Sequence, residues 1–434
     1  MAKHIHEIRD PLHVFIRLDS DERKILNSRP FQRLRYIHQL GLTYLLYPGA
    51  THRRFEHSLG VMELAGRVYD IVTETSNISH DSIRNVVPEH NSYEHQYWRR
   101  VLRMAALCHD IGHLPFSHTA EDLLPEGWDH ERLTLELIRS DELESIWKDI
   151  KIQSDDVAKL AIGPKKYKES SFTDWEAILS EITVGDAFGV DRMDYLLRDS
   201  HHAGVSYGKF DYYRLIDTIR ILPKGEGSEE PALGIEEGGL HSAEALVLAR
   251  YFMYTQLYYP HVRRIYDIHL RDFLKKWLSG GCLPIKIEEH LQMTDNELLV
   301  ELYKAASDEK HPGHDPARRI IKREHFRLLY QRNPNDIPKN PESGKLIFDA
   351  ACKKFGEGKV RYDTYKQKGS GLNFPVLSLD GRIISSLAMS EALKNVPIVA
   401  IDYVFINPDH RKDAEKWLKE KRESIISKKE AETI

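Results

Sequence analysis

The feature that most constrains this chain is a short apolar segment that ends in a charged pair. The segment 100–110 ends on His109 and Asp110, and Gly112 follows them. Its apolar positions are Val101, Leu102, Met104, Ala105, Ala106 and Leu107. A helix that is apolar on most sides is buried, so the pair at its end lies inside the protein. His113 would share a face with His109, because positions i and i+4 of a helix lie on the same side. Such an imidazole–carboxylate cluster suits a first-row metal ion.

A second polar cluster lies on the predicted helix within 188–204. At about 100° per residue, four polar side chains of this segment fall within an arc of roughly 80°. They are Asp191, Tyr195, Asp199 and His202. The alternative for this face is simple solvation, and the alternative for His109 is a helix C-terminus favoured by the helix dipole. A solvated face usually collects Lys and Glu, whereas this face collects residues that bind metals and phosphates, so a functional site is favoured.

Hydrophobic periodicity predicts a mainly α fold. Helical spacing is found in 21–40, 59–72, 100–110, 131–148, 174–199 and 240–278. The stretch 76–97 is polar and irregular, and 223–240 is a loop with a short hairpin. Beyond about residue 280 the connections become rich in Pro, Asp and Asn, and 395–406 alternates like a strand. We predict a helical catalytic domain over 1–275 and a smaller α+β lobe over 276–434 that ends in a charged helical tail.

Composition limits the location and the partners of the chain. The formal net charge of −5 argues against nucleic acid or an anionic membrane as the main partner, although binding of nucleic acid stays open. Its three cysteines, Cys108, Cys282 and Cys352, cannot build a disulfide framework, which fits a reducing compartment. The N-terminus lacks the apolar run of a signal peptide, and no stretch of about 18 apolar residues occurs. We expect a cytoplasmic protein that does not bind a membrane.

Four strings occur in an order that is typical of one enzyme family. They are FQRLRYIHQLGLTYLLYPGATHRRFEHSLGV at 31–61, LCHDIGHLPFSH at 107–118, WDHE at 128–131 and DRMDYLLRDSHHAG at 191–204. Together they resemble the deoxynucleoside triphosphate triphosphohydrolases of the HD superfamily, in particular the catalytic domain of the SAM-and-HD-domain enzymes and their bacterial relatives. The resemblance covers residues 1–275. It implies an HD-domain helical bundle that hydrolyses a dNTP to deoxynucleoside and inorganic triphosphate, by water attack at the α-phosphate.

The resemblance also implies a role for individual residues. The metal ligands fall on His57, His109, Asp110 and Asp191. The catalytic histidine is His130, oriented by Glu121, and His113 and His118 face the α-phosphate. The substrate contacts fall on Arg54, Arg192 and Tyr195 for phosphate, Gln39, Leu40 and Asp199 for the sugar, and Tyr259 and His261 for the wall of the pocket. One divalent transition metal (Fe, Mn, Zn or Ni) would occupy the HD site, and Mg would accompany the substrate phosphates.

The same resemblance implies a homo-oligomer, a dimer or a tetramer, with allosteric activation by a nucleotide. Gln32 and Arg35 match effector-binding positions. Asn27 and Arg9 stand where the family enzyme has Asp and Asn, so reading of guanine by a carboxylate is not expected. Either the activator differs or activation is unnecessary. Tyr251 stands where a stacking arginine is expected, which leaves the base preference open.

Two other functions stay open on the sequence alone. The first is an HD-type phosphohydrolase that acts on nucleoside monophosphates or cyclic nucleotides, and the sugar and phosphate contacts Gln39, Tyr195 and Asp199 argue against it. The second is a non-catalytic scaffold that binds nucleotides or single-stranded nucleic acid. The acid–base pair Glu121 and His130 and the acidic net charge argue against that scaffold.

Overall fold

The computed structural model describes residues 5–367 and 372–427, which form two compact units. The first unit comprises Met1–Met253, Cys282–Leu298 and Ser370–Val396, and the second comprises Tyr254–Gly281, Leu299–Gly369 and Pro397–Ile434. The predicted fold class, mainly α with a smaller sheet-containing C-terminal part, is confirmed. Whereas the sequence predicts one division near residue 275, each unit takes up several separate stretches of chain.

The first unit is a helical bundle with two small sheets. Its α-helices are Ser20–Leu26, Arg29–Arg33, Arg54–Val72, Asp81–Arg84, Tyr93–Cys108, His130–Ile138, Asp141–Ile150, Ser154–Ile162, Asp174–Val184, Val190–Ala203, Tyr212–Thr218, Leu240–Met253, Ile287–Gln292, Ser386–Met389 and Glu391–Lys394. Short 3-10 turns are Leu34–Tyr36, Gly41–Leu45, Thr75–Asn77, Ser117–Leu123 and Glu237–Gly239. The helix Asp295–Ser307 begins in this unit and ends in the second.

The sheets of the first unit are formed by strands that lie far apart in the sequence. Ile5–Asp10 and Val14–Asp19 form an antiparallel hairpin. The four-stranded sheet has the order Ile219–Pro223, Pro231–Glu236, Pro375–Leu377 and Ile383–Ser385. Its middle pair is parallel, with Ile235 opposite Val376, and this pairing returns residues after 370 to the first unit.

The second unit packs helices against a three-stranded antiparallel sheet. Its strands, in sheet order, are Arg327–Gln331, Ala400–Ile406 and Val360–Lys366. Its helices are the π-helix Tyr254–Tyr258, the α-helices His261–Trp277, His314–Ile321, Ser343–Phe355 and Arg411–Ile426, and the 3-10 turns Ser279–Gly281, Glu357–Lys359 and Pro408–His410. The core between helix and sheet contains Ile347, Val360, Val404 and Ala414. The predicted strand within 395–406 and the charged terminal helix are confirmed, and residues 428–434 lie outside the described part.

The apolar segment that predicted a buried charged pair is the end of the helix Tyr93–Cys108. Every residue from Val101 to Cys108 is buried. The helix begins further back than the sequence predicted, because the Ser92 side chain accepts a hydrogen bond from the His95 amide and caps the first turn. The prediction that 93–97 are irregular was therefore wrong.

Several helices that the periodicity predicts as continuous are broken in the structure. The segment 21–40 breaks at Ser28, and a new helix begins at Arg29 with Pro30 in its first turn. The segment 174–199 breaks between Gly185 and Gly189, and 240–278 breaks before His261, which follows Pro260. Hydrophobic spacing continues through such breaks, so periodicity alone could not locate them.

Candidate active site

The four predicted metal ligands converge in the first unit. His57 lies in the first turn of Arg54–Val72, His109 and Asp110 directly follow Tyr93–Cys108, and Asp191 lies in the first turn of Val190–Ala203. His57 Nε2 lies 3.1 Å from Asp191 Oδ1 and 3.8 Å from Asp110 Oδ2. His109 Nε2 lies 3.5 Å from Asp191 Oδ1 and 3.6 Å from Asp110 Oδ1. Three helices thus bring two imidazoles and two carboxylates to one point.

The hydrogen bonds of the two histidines orient the Nε2 atom of each ring toward this point. His109 Nδ1 donates to the Ala106 carbonyl at 2.8 Å, and His57 Nδ1 donates to Asp194 Oδ2 at 2.8 Å. Because each Nδ1 is taken by a carbonyl or a carboxylate, Nε2 is the nitrogen of each ring that is left for a metal ion, and His109 Nε2 has no hydrogen-bond partner among the described residues. Two imidazole nitrogens and two carboxylates at one point form a donor set that fits a divalent metal ion.

The pKa values of the cluster show the same need for positive charge. Burial lowers the pKa of His57, but hydrogen bonds with Asp191 and Asp194 raise it to about 10. Burial raises the pKa of Asp191, but the adjacent imidazoles of His109 and His57 hold it well below its ordinary value. The pKa of Asp110 is also lowered, because the charges of Arg54, His109 and His57 outweigh its burial. Both carboxylates are therefore ionised at neutral pH.

A buried ion network, which the sequence did not predict, supports His57 from behind. Asp194 accepts hydrogen bonds from His57 Nδ1, from Arg198 Nε at 2.8 Å and from His13 Nε2 at 2.9 Å. Arg198 Nη1 also donates to Asp10 Oδ2 at 2.8 Å. Gly60 permits this packing, because a Cβ there would lie 1.9 Å from Asp194 Oδ1. The spacing of four residues between Asp194 and Arg198 was the sequence signal for this pair.

The predicted proton-transfer residues form a second group beside the metal cluster. His130 opens the helix His130–Ile138, and its Nδ1 hydrogen bonds to Glu121 Oε1 and lies 3.3 Å from Glu131 Oε2. The His113 ring stacks on the His130 ring with centroids 4.4 Å apart. Burial lowers the pKa of His130, but the hydrogen bond to Glu121 and the charge of Glu131 raise it above its ordinary value. His118 lies in the turn Ser117–Leu123, and its side chain is outside the described part of the structure.

The close approach of the two groups depends on Gly112. A Cβ at this position would lie 2.3 Å from the Thr134 amide nitrogen and 2.4 Å from the His130 carbonyl oxygen. The Gly112 amide also donates to Thr134 Oγ1 at 3.1 Å. A glycine between His109 and His113 therefore lets the chain run directly against the helix that begins at His130.

Of the predicted phosphate contacts, Arg54 lies in the cluster itself. Its Nη1 donates to Asp110 Oδ2, its Nη2 donates to Ser117 Oγ at 2.9 Å, and its Nε is buried without a hydrogen-bond partner among the described residues. Arg192 is half-buried, and its Nη1 donates to the Gly185 carbonyl at 2.9 Å. Tyr195 is half-buried one turn after Asp191 on the same helix.

The predicted sugar and pocket-wall residues are divided between the units. In the first unit, Gln39 and Leu40 are buried next to the turn Gly41–Leu45, and Asp199 accepts from His52 Nε2 at 2.7 Å. In the second unit, the Tyr259 ring packs against Tyr365 with centroids 4.6 Å apart. His261, also in the second unit, begins the helix His261–Trp277, and burial lowers its pKa.

The predicted effector residues contact each other and their neighbours. Arg35 Nε donates to Gln32 Oε1 at 2.9 Å, and the Arg35 guanidinium lies 3.5 Å from the centroid of the Phe55 ring. Gln32 Nε2 donates to the Leu26 carbonyl at 2.7 Å. Arg9 is exposed on the first hairpin, where it lies over the Phe15 ring.

A cavity of about 880 Å³ reaches the cluster within the first unit. Its polar end is lined by His109, Asp110, Asp191, His130 and Glu131. Its apolar wall includes Ile162, Val184, Phe188, Leu233 and Phe374. The volume lies in the range of small-molecule sites, which span roughly 300–1,000 Å³.

Over residues 5–367 and 372–427, no helix combines the length and the apolarity that crossing a bilayer requires.

Comparisons with known proteins agree with this geometry. Residues 54–196 match the HD domain family, and residues 210–343 match the HD associated region. The chain is 32% identical to the uncharacterized protein YwfO of Bacillus subtilis over 349 residues, which cover 76% of this chain and 72% of YwfO. It is 30% identical to the deoxynucleoside triphosphate triphosphohydrolase SAMHD1 of Gallus gallus over 374 residues, which cover 77% of this chain and 58% of that enzyme.

Among solved structures, the crystal structure of a hypothetical protein from Aquifex aeolicus is similar to this chain with a TM-score of 0.78 and 32% identity. The similarity covers 95% of this chain and 100% of that one. The chain spans between 51% and 72% of the length of three curated relatives that it matches.

Proposed function

The chain belongs to the HD-domain family, and on that premise we propose that it is a metal-dependent hydrolase of deoxynucleoside triphosphates. The observation that carries the proposal is the convergence of His57, His109, Asp110 and Asp191 beside the buried Arg54. The similarity to SAMHD1, which is named as a deoxynucleoside triphosphate triphosphohydrolase, supports the choice of substrate.

In the proposed reaction, water attacks the α-phosphorus, the bond from that phosphorus to the 5′ oxygen of the deoxynucleoside breaks, and inorganic triphosphate forms. A divalent ion, when bound, supplies a Lewis acid for the phosphoryl group and a more acidic water. Arg54 offers positive charge to the phosphate oxygens, since its buried Nε has no partner among the described residues. Protonation of the leaving 5′ oxygen requires a further group that moves a proton.

We assign that proton transfer to His130. Its Nδ1–H is held by the Glu121 carboxylate, which fixes the tautomer and leaves Nε2 to exchange a proton with the reacting groups. Because Glu121 raises its pKa, the imidazole carries a proton more readily than an isolated histidine, which suits protonation of the leaving 5′ oxygen. Glu121 is then a positioning residue for His130, and contact of His113 and His118 with the α-phosphate stays a prediction.

Homo-oligomerisation, activation by a nucleotide at Gln32 and Arg35, and a cytoplasmic location stay predictions. The same holds for the sugar contacts Gln39, Leu40 and Asp199 and for the wall residues Tyr259 and His261. Light scattering with and without nucleotides measures the oligomeric state, and a screen of nucleotides in the activity assay measures activation.

The test of the proposed function is incubation of the purified chain with each dNTP in turn and with Mn²⁺ or Mg²⁺. Chromatography of the products is expected to show deoxynucleoside and inorganic triphosphate in equal amounts. Orthophosphate release from nucleoside monophosphates, or ring opening of cyclic nucleotides, would assign the site to other phosphohydrolase chemistry. Absence of triphosphate with every metal, with and without nucleotide effectors, would contradict the proposal.

A variant of His130 separates metal binding from turnover. We expect His130→Ala to keep the metal content of the unaltered chain and to reduce the hydrolysis rate by about 10²- to 10⁴-fold, the usual contribution of a general acid or base. Elemental analysis and initial rates measure the two properties. The matched control is His241→Ala, because the His241 side chain is 94% exposed and bonds only to Glu244 in the described contacts. Full activity of His130→Ala would remove His130 from the reaction.

A further inference from the structure

A strained turn lies directly beside the candidate metal ligands. Phe116 and Ser117 both adopt left-handed backbone conformations, with φ of 55° and 62°. Non-glycine residues adopt this region infrequently, and two in succession persist only where the surrounding structure holds them. Phe116 is fully buried, so solvent does not provide that support.

The support comes from Asp295, a residue far away in the sequence. Asp295 Oδ1 accepts a hydrogen bond from the Phe116 amide at 2.7 Å. Asp295 Oδ2 accepts from the His38 amide at 2.7 Å and from His38 Nδ1 at 2.5 Å. The carboxylate has no solvent exposure. One carboxylate oxygen thus bonds to the segment that ends in Phe116, and the other bonds to the segment that leads into Gln39.

Ser117 connects the same two segments to Arg54. The Ser117 hydroxyl oxygen lies 3.0 Å from the His38 carbonyl oxygen and 3.1 Å from the Gln39 carbonyl oxygen, so it donates to this pair. The same oxygen accepts a hydrogen bond from Arg54 Nη2 at 2.9 Å. The Arg54 guanidinium in turn bonds to Asp110. A continuous set of hydrogen bonds therefore runs from Asp295 through the strained turn to the arginine at the metal cluster.

The approach of Gly41 to the same turn is also close. Gly41 has φ of +52°, and a Cβ there would lie 3.0 Å from the Phe116 carbonyl oxygen. The carbonyl of Phe116 is therefore confined on one side by Gly41, while its amide is held on the other by Asp295. The Phe116 backbone is thus held on both sides, and the hydroxyl of Ser117, the next residue, lies 2.9 Å from Arg54 Nη2.

We propose that Asp295 is a positioning residue, which holds the turn Phe116–Ser117 so that Ser117 fixes the Arg54 guanidinium for binding of a polyphosphate. The ligand class rests on the proposed function, because Arg54 is assigned there to the phosphate chain. A purely stabilising role would not require a buried carboxylate, since apolar residues fill a core without the cost of desolvating a charge. All three described donors to Asp295 belong instead to the two segments that bear Gln39 and Ser117.

The test measures binding of inorganic triphosphate by calorimetry, with the metal-loaded full chain and no turnover. Asp295→Asn keeps the size of the side chain and loses one of the two acceptor oxygens. We expect its affinity for triphosphate to fall by about tenfold or more, because a small misplacement of a binding group is costly. Its metal content is expected to stay that of the unaltered chain. With a dNTP as substrate, the KM rises more than kcat falls.

Ser117→Ala tests the same connection from its other end and does not remove the buried carboxylate. We expect a similar loss of affinity, and the double variant is expected to lose little more than either single variant, because both changes break one set of contacts. Asp336→Asn is the matched control, since Asp336 is a 1% exposed carboxylate of the second unit that is bonded to Arg422. It is expected to lower the melting temperature and to leave triphosphate affinity unchanged.

The results distinguish this proposal from the proposed function. Unchanged triphosphate affinity in folded, metal-loaded Asp295→Asn and Ser117→Ala would overturn the positioning role, whatever the dNTP assay shows. A chain that binds triphosphate through Asp295 and hydrolyses no dNTP would contradict the proposed function alone. Fully additive losses in the double variant would also overturn the proposal, because they indicate two independent effects.

Discussion

The two halves of the candidate site differ in how firmly the structure holds them. In the metal half, formed by the four predicted ligands, His57, His109 and Asp110 are at most 9% exposed and Asp191 is 33% exposed, while the supporting carboxylate Asp194 is fully buried. In the proton-transfer half, the side chains of His130 and Glu121 are 15% and 29% exposed. The metal half is backed by the ion network around Arg198, whereas His130 faces two carboxylates at the edge of a cavity.

This difference follows from what each half is proposed to do. Metal ligands must converge before the ion arrives, and fixed orientation of each ring preserves that convergence. A group that exchanges protons must reach water and must titrate within the working pH range. Burial as complete as that of Asp194 would hinder both. The comparison therefore predicts that changes in the metal half weaken or abolish metal binding, and that changes in the other half alter the pH dependence.

The largest effect is expected for Asp110→Ala. This change removes one ligand and leaves the buried Arg54 without its carboxylate partner. We expect loss of the metal together with a fall in hydrolysis of about a thousandfold or more, because a catalytic ion supplies several kcal/mol of transition-state stabilisation. Elemental analysis and initial rates measure both. Asp141→Ala, at an exposed helix N-terminus, serves as the control, and full metal content in Asp110→Ala would show that the ligand assignment is wrong.

The sequence predicted the parts of the site that local spacing and the family resemblance reveal. The run of apolar residues before His109 correctly placed the pair His109–Asp110 in the interior. The helix that bears Asp191 was also expected, although its N-terminal boundary was set by Gly189 rather than by periodicity. The residues that determine each of these two helices lie within the helix or directly beside it, so the local sequence reveals the helix.

The remaining parts depend on pairings between distant residues. Asp295 bonds to a residue 257 positions earlier, and Val376 pairs with Ile235 in a parallel sheet. Nothing in the residues around Asp295 distinguishes it from an ordinary helix N-terminal acid, which is also favoured by the helix dipole. The first hairpin was missed for a similar reason, because its buried contact, Asp10 with Arg198, lies 188 residues away. Only tertiary structure shows such contacts.

An intermediate effect is expected for Asp194→Asn, which weakens the support of His57 and keeps every ligand. The amide cannot accept from His57, Arg198 and His13 at once as the carboxylate does. We expect metal affinity to fall by about 10- to 100-fold, the usual loss when an outer partner of a ligating histidine is changed. Titration of the metal-free chain with Mn²⁺ or Zn²⁺ measures this loss.

The matched control for Asp194 is Asp70→Asn on the surface. Asp70 accepts two hydrogen bonds from Arg99, at 2.6 Å and 2.8 Å, and the two side chains are 51% and 38% exposed. Exposed pairs of this kind contribute about 0–1 kcal/mol, so metal affinity and stability are expected to stay nearly unchanged. Equal metal affinity in Asp194→Asn and Asp70→Asn would show that the buried network around Asp194 does not support metal binding.

The smallest effect is expected for Glu121→Gln, and it separates the two halves by pH. Burial lowers the pKa of His130, and the hydrogen bond to Glu121 is the strongest influence that raises it. Glutamine keeps a hydrogen-bonding group of the same size and removes the charge, so the pKa of His130 falls. Whether His130 acts as acid or as base, the limb of the kcat/KM profile that reports it then moves to lower pH. Metal content is expected to be unaffected, since Glu121 is not one of the four predicted ligands. Glu126→Gln, an exposed position nearby, should leave the profile in place. A shift to higher pH would mean that the titrating group belongs to the metal half.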